Sequence, residues 1–154
     1  MLIKEYYEGT ATAQQVYDFV MGKLREQGVP SINSSGKCLY LYKGLKCGIG
    51  HLIPDGKHRP EMEINSGKMD EDDHLFMGGP WPMFRSLVDG EVKGIENKES
   101  FLQTMQWGLH DEWASPVHPS PGLTLLEGLE LAAQRFCSYD DVRGSFVQYT
   151  PPAP

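Results

Sequence analysis

Four side chains in this sequence have the types and spacing to do chemistry together: Glu61, Glu63, His110 and Asp111. Glu61 and Glu63 stand two apart in Pro60-Glu-Met-Glu63, so in extended chain both carboxylates project to one side and Met62 to the other. A facing His110 would complete a general acid/base or metal-binding constellation. Helical geometry supplies the competing reading. With Leu102 at the centre of a buried helical stripe, His110 falls about 80° from that centre and Asp111 about 180°. Asp111 is then expected to face solvent and His110 to lie at a boundary, with the glutamates serving as caps or surface charge.

Other groups of reactive residues point less far. Cys38, Cys47, His51 and His58 are of the types zinc prefers, but neither C-x-x-C nor a close pair of histidines occurs. Small buried cysteines in a hairpin are expected, and no metal is assigned. Asp70-Glu-Asp-Asp-His74 is an acidic run whose consecutive side chains cannot all point into one two-metal site, so it reads as a solvated turn. Gly48-Ile-Gly50 is no dinucleotide fingerprint, because Ile53 takes the place of the third glycine and Pro54 blocks a following helix. Phosphate-loop, serine-hydrolase and zinc-protease motifs are likewise missing from the sequence. No cofactor is expected, and the balance leans away from an enzyme.

The elements that must position these residues are legible from periodicity. Thr12-Ala-Gln-Gln15 has capping-box spacing, and Val16, Phe19, Val20 and Leu24 follow on one helical face with Tyr17 at its margin. Gly28 and Pro30 stop that helix near Gln27. Cys38 to Tyr42 and Cys47 to Ile53 read as a β-hairpin around the turn Lys43-Gly-Leu-Lys46. If Tyr42 pairs with Cys47, then Cys38, Tyr40, Tyr42, Cys47, Ile49 and His51 share one face. Leu39, Leu41, Leu52, Gly48 and Gly50 share the other, which suits packing on a helix. Gly48 and Gly50 then either admit a close helix backbone or leave room for a ligand.

Residues 57–94 are rich in Gly, Pro and acids and are expected to form an irregular, lid-like segment. A second helix is expected from a capping box at Ser100-Phe-Leu-Gln103, burying Leu102, Met105, Leu109 and Trp113 and stopping before Pro116. Thr124-Leu-Leu-Glu127 opens a third, with Leu125, Leu129, Ala132, Ala133 and Phe136 inward and its end near Cys137. Residues 143–149 either add a strand or lie along the surface, and 150–154 form an extended tail. The fold class is therefore α+β: three main helices on a small antiparallel hairpin, in one domain spanning 1–154.

At 154 residues, 40% hydrophobic and 23% charged, the chain suits a single soluble domain. Its apolar runs fall short of the ~20 residues of a membrane span, and three cysteines cannot all pair internally, which suggests a reducing cytoplasm. Up to Ile64 eight basic residues meet seven acidic ones; beyond it six meet fourteen. A net charge of −7 offers no basic face for phosphates, so nucleic acid is not an expected partner.

At Lys46-Cys-Gly-Ile-Gly-His-Leu-Ile-Pro-Asp55 and Pro60-Glu-Met-Glu63 the chain resembles a family of small uncharacterised proteins of tailed phages and prophages. Phe101 to Trp113, with His110-Asp111, resembles that family's second helix. Gly48 departs from the family's alanine and Ile64 from its glycine. The resemblance marks Cys47, Gly50, Pro54, Asp55, Glu61, Glu63, His110 and Asp111 as pattern positions, and implies a phage origin and residence in the host cytoplasm.

Two functions follow as expectations. The first is a phage-type accessory protein that binds and blocks a host protein, for instance one of defence, or sequesters a small nucleotide-like signalling molecule. Its surface would be residues 57–94, with Trp81, Phe84 and Phe76 as anchors, together with Gly48 and Gly50. The second is a small metal-assisted or acid/base hydrolase built on Glu61, Glu63, His110 and Asp111.

Overall fold

The computed structural model describes residues 3–36, 38–57, 92–95, 98–114, 122–143 and 147–154. In order these form α1 (Ile3–Tyr7), α2 (Ala13–Gln27), β1 (Leu41–Tyr42), β2 (Leu45–Lys46) and a 3-10 turn (Gly50–Leu52). Then come α3 (Lys98–Met105), a π-helical segment (Gln106–Asp111), α4 (Glu112–Ala114), α5 (Leu125–Ser138) and α6 (Asp140–Arg143). The class is α+β, helices with a two-stranded antiparallel hairpin, as expected from the sequence. Among the described residues no helix is long and apolar enough to cross a membrane.

Local chemistry sets the ends of the two best-defined helices. The Thr12 hydroxyl accepts from the Gln15 amide while the Gln15 side chain accepts from the Thr12 amide, and Thr124 and Glu127 repeat the exchange at α5. Gly28 closes α2 at φ 77°, donating to the Leu24 carbonyl. α3 begins earlier than the sequence suggested: Ser100 is its third residue rather than its cap. Its start is held instead by Lys98, a buried lysine whose ammonium lies 4.4 Å from the centre of the Tyr6 ring.

The core gathers Val16, Val20 and Leu24 of α2, Phe101, Leu102 and Leu109 of the second helical stretch, and Leu129, Ala133 and Phe136 of α5. Phe136 is its hub, stacked on Tyr17 at 5.6 Å and meeting Phe101 edge-on at 6.0 Å. Tyr17 is thus fully buried and Phe19 only half-buried, the reverse of the expected order, because α2 is covered by α5 on Tyr17's side. Leu125 is also corrected: its side chain is 47% exposed. Its carbonyl accepts from the Trp113 indole at 2.8 Å, so the first turn of α5 is fixed through its backbone while the side chain points away.

The hairpin is tighter and shorter than expected. Lys43 and Gly44 both have positive φ, at 50° and 80°, as a two-residue turn requires, and Tyr42 pairs with Leu45 rather than Cys47. The second arm ends at Lys46. There the Cys47 sulfur accepts from the Gly50 amide and the chain curls into the 3-10 turn, so His51 never faces Cys38. Cys38 bridges to Ile32 instead. Tyr40, Cys47 and Ile49 face the core. Gln27 joins this hairpin to α2, donating to the carbonyls of Val29 and Lys46 and accepting from the Lys46 amide.

Two further segments close the domain. Residues 92–95 lie beside the start of α2, where Lys93 exchanges backbone bonds with Ala11 and Ala13. The C-terminal residues 147–154 run extended along α2, forming no strand. Gln14 bonds both backbone groups of Gln148, and Arg25 reaches the Thr150 carbonyl at 2.6 Å while forming a two-pronged pair with Glu130. The rest of the expected lid, residues 58–91, lies outside the described residues.

Two glycines test this packing in opposite senses. A methyl group on Gly50 would run into the Tyr40 carbonyl oxygen, whereas one on Gly22, on the exposed side of α2, meets nothing. Gly50→Ala is expected to cost about 1–3 kcal/mol, and Gly22→Ala to add about 0.4–1 kcal/mol, both read by urea denaturation.

Candidate functional site

His110 and Asp111 owe their positions to the π-helical turn. A π turn takes one residue more than an α turn, so the residues beyond it are set back by about 100° relative to α-helical phase. His110, about 80° off the buried stripe on α geometry, swings to within roughly 20° of it. It is fully buried, which corrects the boundary position read from the sequence. Asp111 swings from the solvent side to a half-buried place, with 20% of its side chain exposed. Gly108 within the turn lies under the Tyr139 ring, where a Cβ would come 2.7 Å from the nearest ring carbon.

The turn builds a continuous polar network inside the domain. The Ser31 amide donates to His110 Nε2 at 3.0 Å. A backbone amide can only donate, so Nε2 holds the lone pair and the imidazole proton sits on Nδ1, 3.0 Å from Asp111 Oδ1. Gln106 Nε2 donates to the same carboxylate oxygen at 2.9 Å, and Gln106 Oε1 accepts from the Ile49 amide at 3.1 Å. The Cys38 thiol is a third donor to Asp111, and burial together with that carboxylate pushes its pKa well above the usual thiol range. Ser31 completes the chain by exchanging backbone and hydroxyl bonds with Leu39.

Cys38, His110 and Asp111 bring a sulfur, a nitrogen and an oxygen within 4.8 Å of one another. Their bonding is that of a closed network. Zinc would need a thiolate and a bare nitrogen, whereas here the thiol is held protonated and Nδ1 carries the proton that Ser31 forces upon it. Nor is the trio a nucleophilic triad. The thiol donates to the carboxylate rather than to the imidazole, and the neighbouring negative charge disfavours the thiolate.

Of the other residues singled out by the sequence, Gly48 lies where an added Cβ would be at ordinary contact distance from Gln106, Val20 and the His110 Cβ, and Gly50 lies where one would run into the Tyr40 carbonyl. Cys47 is spent on Gly50. Glu61, Glu63, Phe76, Trp81, Phe84 and His58 lie outside the described residues. Gln106 and Ser31 escaped sequence reasoning. No local signal marks out Gln106, which follows the equally polar Gln103 and Thr104, and its partner five positions on is a neighbour only in a π turn.

Among the described residues, two sizeable concave surfaces face outward. One is an open cleft of about 810 Å³ between α2, the hairpin and the 3-10 turn, bordered by Phe19, Lys23, Gln27, Lys46, His51 and Pro54 among others. His51 Nε2 is buried there with no hydrogen-bond partner among the described residues. Burial first, then the positive charges of Lys46 and Lys23, lower the His51 pKa from 6.5 to about 4. The other is a smaller groove of about 550 Å³ on α5, walled by Leu123, Leu126, Leu131 and Pro152 with Arg25 and Glu130 at its side.

In comparisons with protein-family models, curated proteins and solved structures, nothing matches this chain.

Removing Gln106 strands both the Ile49 amide and one donor position at Asp111. Gln106→Ala is therefore expected to destabilise the protein by roughly 2–3 kcal/mol in chemical denaturation. His51 sets a pH dependence. The folded imidazole stays neutral down to about pH 4 while the unfolded one takes a proton near 6.5. Between those values the unfolded chain binds more protons, so the His51 contribution is intact above 6.5 and is lost as pH falls toward 4. Melting temperature followed from pH 7 to 4 is expected to fall less steeply in His51→Gln than in the native protein.

Proposed function

We propose that this is a small accessory protein of the tailed-phage kind that works by binding, occupying a host protein in the cytoplasm and thereby blocking it. The observation that carries this reading is the leucine row at the start of α5. Leu123, Leu125 and Leu126 are 37%, 47% and 49% exposed, and Leu123 and Leu126 wall the groove that runs to Leu131 and Pro152. Scattered exposed leucines mean little, but a contiguous set bordering a concave apolar surface marks a place where another protein sits. Thr124 and Glu127 fix the backbone beneath it, and the Trp113 indole anchors the Leu125 carbonyl, so the surface is organised before any partner arrives.

The internal chemistry weighs the same way. His110 and Asp111, the two described members of the alternative hydrolase site, are engaged with Ser31, Gln106 and Cys38, and His110 has no exposed surface. A general base needs reach to a substrate proton, and this imidazole has both nitrogens occupied.

The double variant Leu125→Glu, Leu126→Glu places two charges where the partner would bury apolar surface. It is expected to fold with stability within about 0.5 kcal/mol of the native protein. Native mass spectrometry of gently purified protein should find a stoichiometric host protein on the native chain and none on the variant, with titration of that purified partner giving the same loss. Undiminished binding by the variant overturns the leucine row as the binding surface.

A further inference from the structure

The cleft between α2 and the hairpin shares no lining residue with the leucine groove, and its chemistry is different. We propose that it binds a small organic anion carrying a flat ring, of the nucleoside monophosphate kind, with Lys23 and Lys46 holding the anion and Phe19 and Pro54 flanking the ring. This inference goes beyond the protein-binding reading and does not depend on it.

Size and lining fit such a ligand. About 810 Å³ lies within the ~300–1,000 Å³ typical of small-molecule sites, which pair apolar walls with a few convergent polar groups. Ile3, Ile53 and Pro54 supply apolar wall, and Phe19 supplies an aromatic face that already holds the Lys23 ammonium 5.8 Å from its centre.

Charge fits as well. The ammonium groups come from two elements, Lys23 from α2 and Lys46 from β2, and both act on the imidazole of His51, which also borders the cleft. The Lys46 ammonium is 2.7 Å from Asp55, whose side chain is 96% exposed. An ion pair so open to water contributes little, and an incoming anion exchanges for Asp55 at small cost. Glu26 and Asp55 also border the cleft, so two carboxylates face two lysines. Once Asp55 is displaced, two ammonium groups remain for one phosphate or carboxylate, while Glu26 disfavours longer polyphosphates and nucleic acid.

The cleft is also preorganised. Two hydrogen bonds of Gln27 hold the Lys46 backbone against the end of α2, so the backbone positions that carry the two lysines are fixed without a ligand.

Isothermal titration calorimetry of the full chain with the common nucleoside monophosphates tests the site. At least one is expected to bind once per chain, with its nucleoside and inorganic phosphate each about tenfold weaker or worse and its triphosphate no tighter. Lys23→Ala and Lys46→Ala are each expected to weaken that binding about tenfold, with melting curves verifying the fold. Lys43→Ala, in the turn just outside the cleft, and the Leu125→Glu, Leu126→Glu variant should leave it unchanged. The absence of binding by every monophosphate at millimolar concentration, or binding indifferent to both cleft lysines, would falsify the proposal without touching the leucine surface.

Discussion

A half-buried carboxylate with three donors organises this protein. Asp111 accepts from Gln106, from His110 and from the Cys38 thiol, and through them reaches Ile49 and Ser31. Leaving such an anion without partners in the interior would be costly, so the segments that bring the donors must all be in place together. The loop before the hairpin, the chain after it and the helix beneath are thereby fixed to one another by a group no larger than a side chain. The two-residue hairpin could not do this alone, since a strand pair so short has little stability of its own.

What permits the arrangement is one additional residue in a helical turn. Gln106 and Asp111 are five apart, and α geometry would send them to different sides. The π turn draws them together and in doing so carries His110 inward, beneath the Ser31 amide. The cost of the irregular turn is met by the groups it connects, and Gly108 leaves the room in which Tyr139 covers it.

The sequence was readable wherever structure is decided locally. Thr12 with Gln15, Gly28, and Thr124 with Glu127 specify helix ends through bonds between residues three or four apart, and each stands where it was expected. Legibility failed where a distant group decides. Nothing near Leu125 says that Trp113 will hold its carbonyl, and nothing near Ser100 says that Tyr6 will hold Lys98 two residues earlier. The existence of the hairpin was legible but its second arm and register were not, because a non-glycine residue, Lys43, takes positive φ and shortens the turn. For the candidate site, His110 and Asp111 were found by residue type, while their roles hung on a helical phase that the pattern of leucines does not record.

The bonds that complete α2 come from far along the chain: Glu130 lies 105 positions beyond Arg25, and Gln148 lies 134 beyond Gln14. At synthesis rates of about 5–20 residues per second, α2 emerges on the order of ten seconds before those groups exist. Throughout that interval its row of valines and leucines has no covering and is open to chaperones or to other nascent chains. The helix most clearly written in the sequence is thus the one that waits longest at the ribosome for its partners.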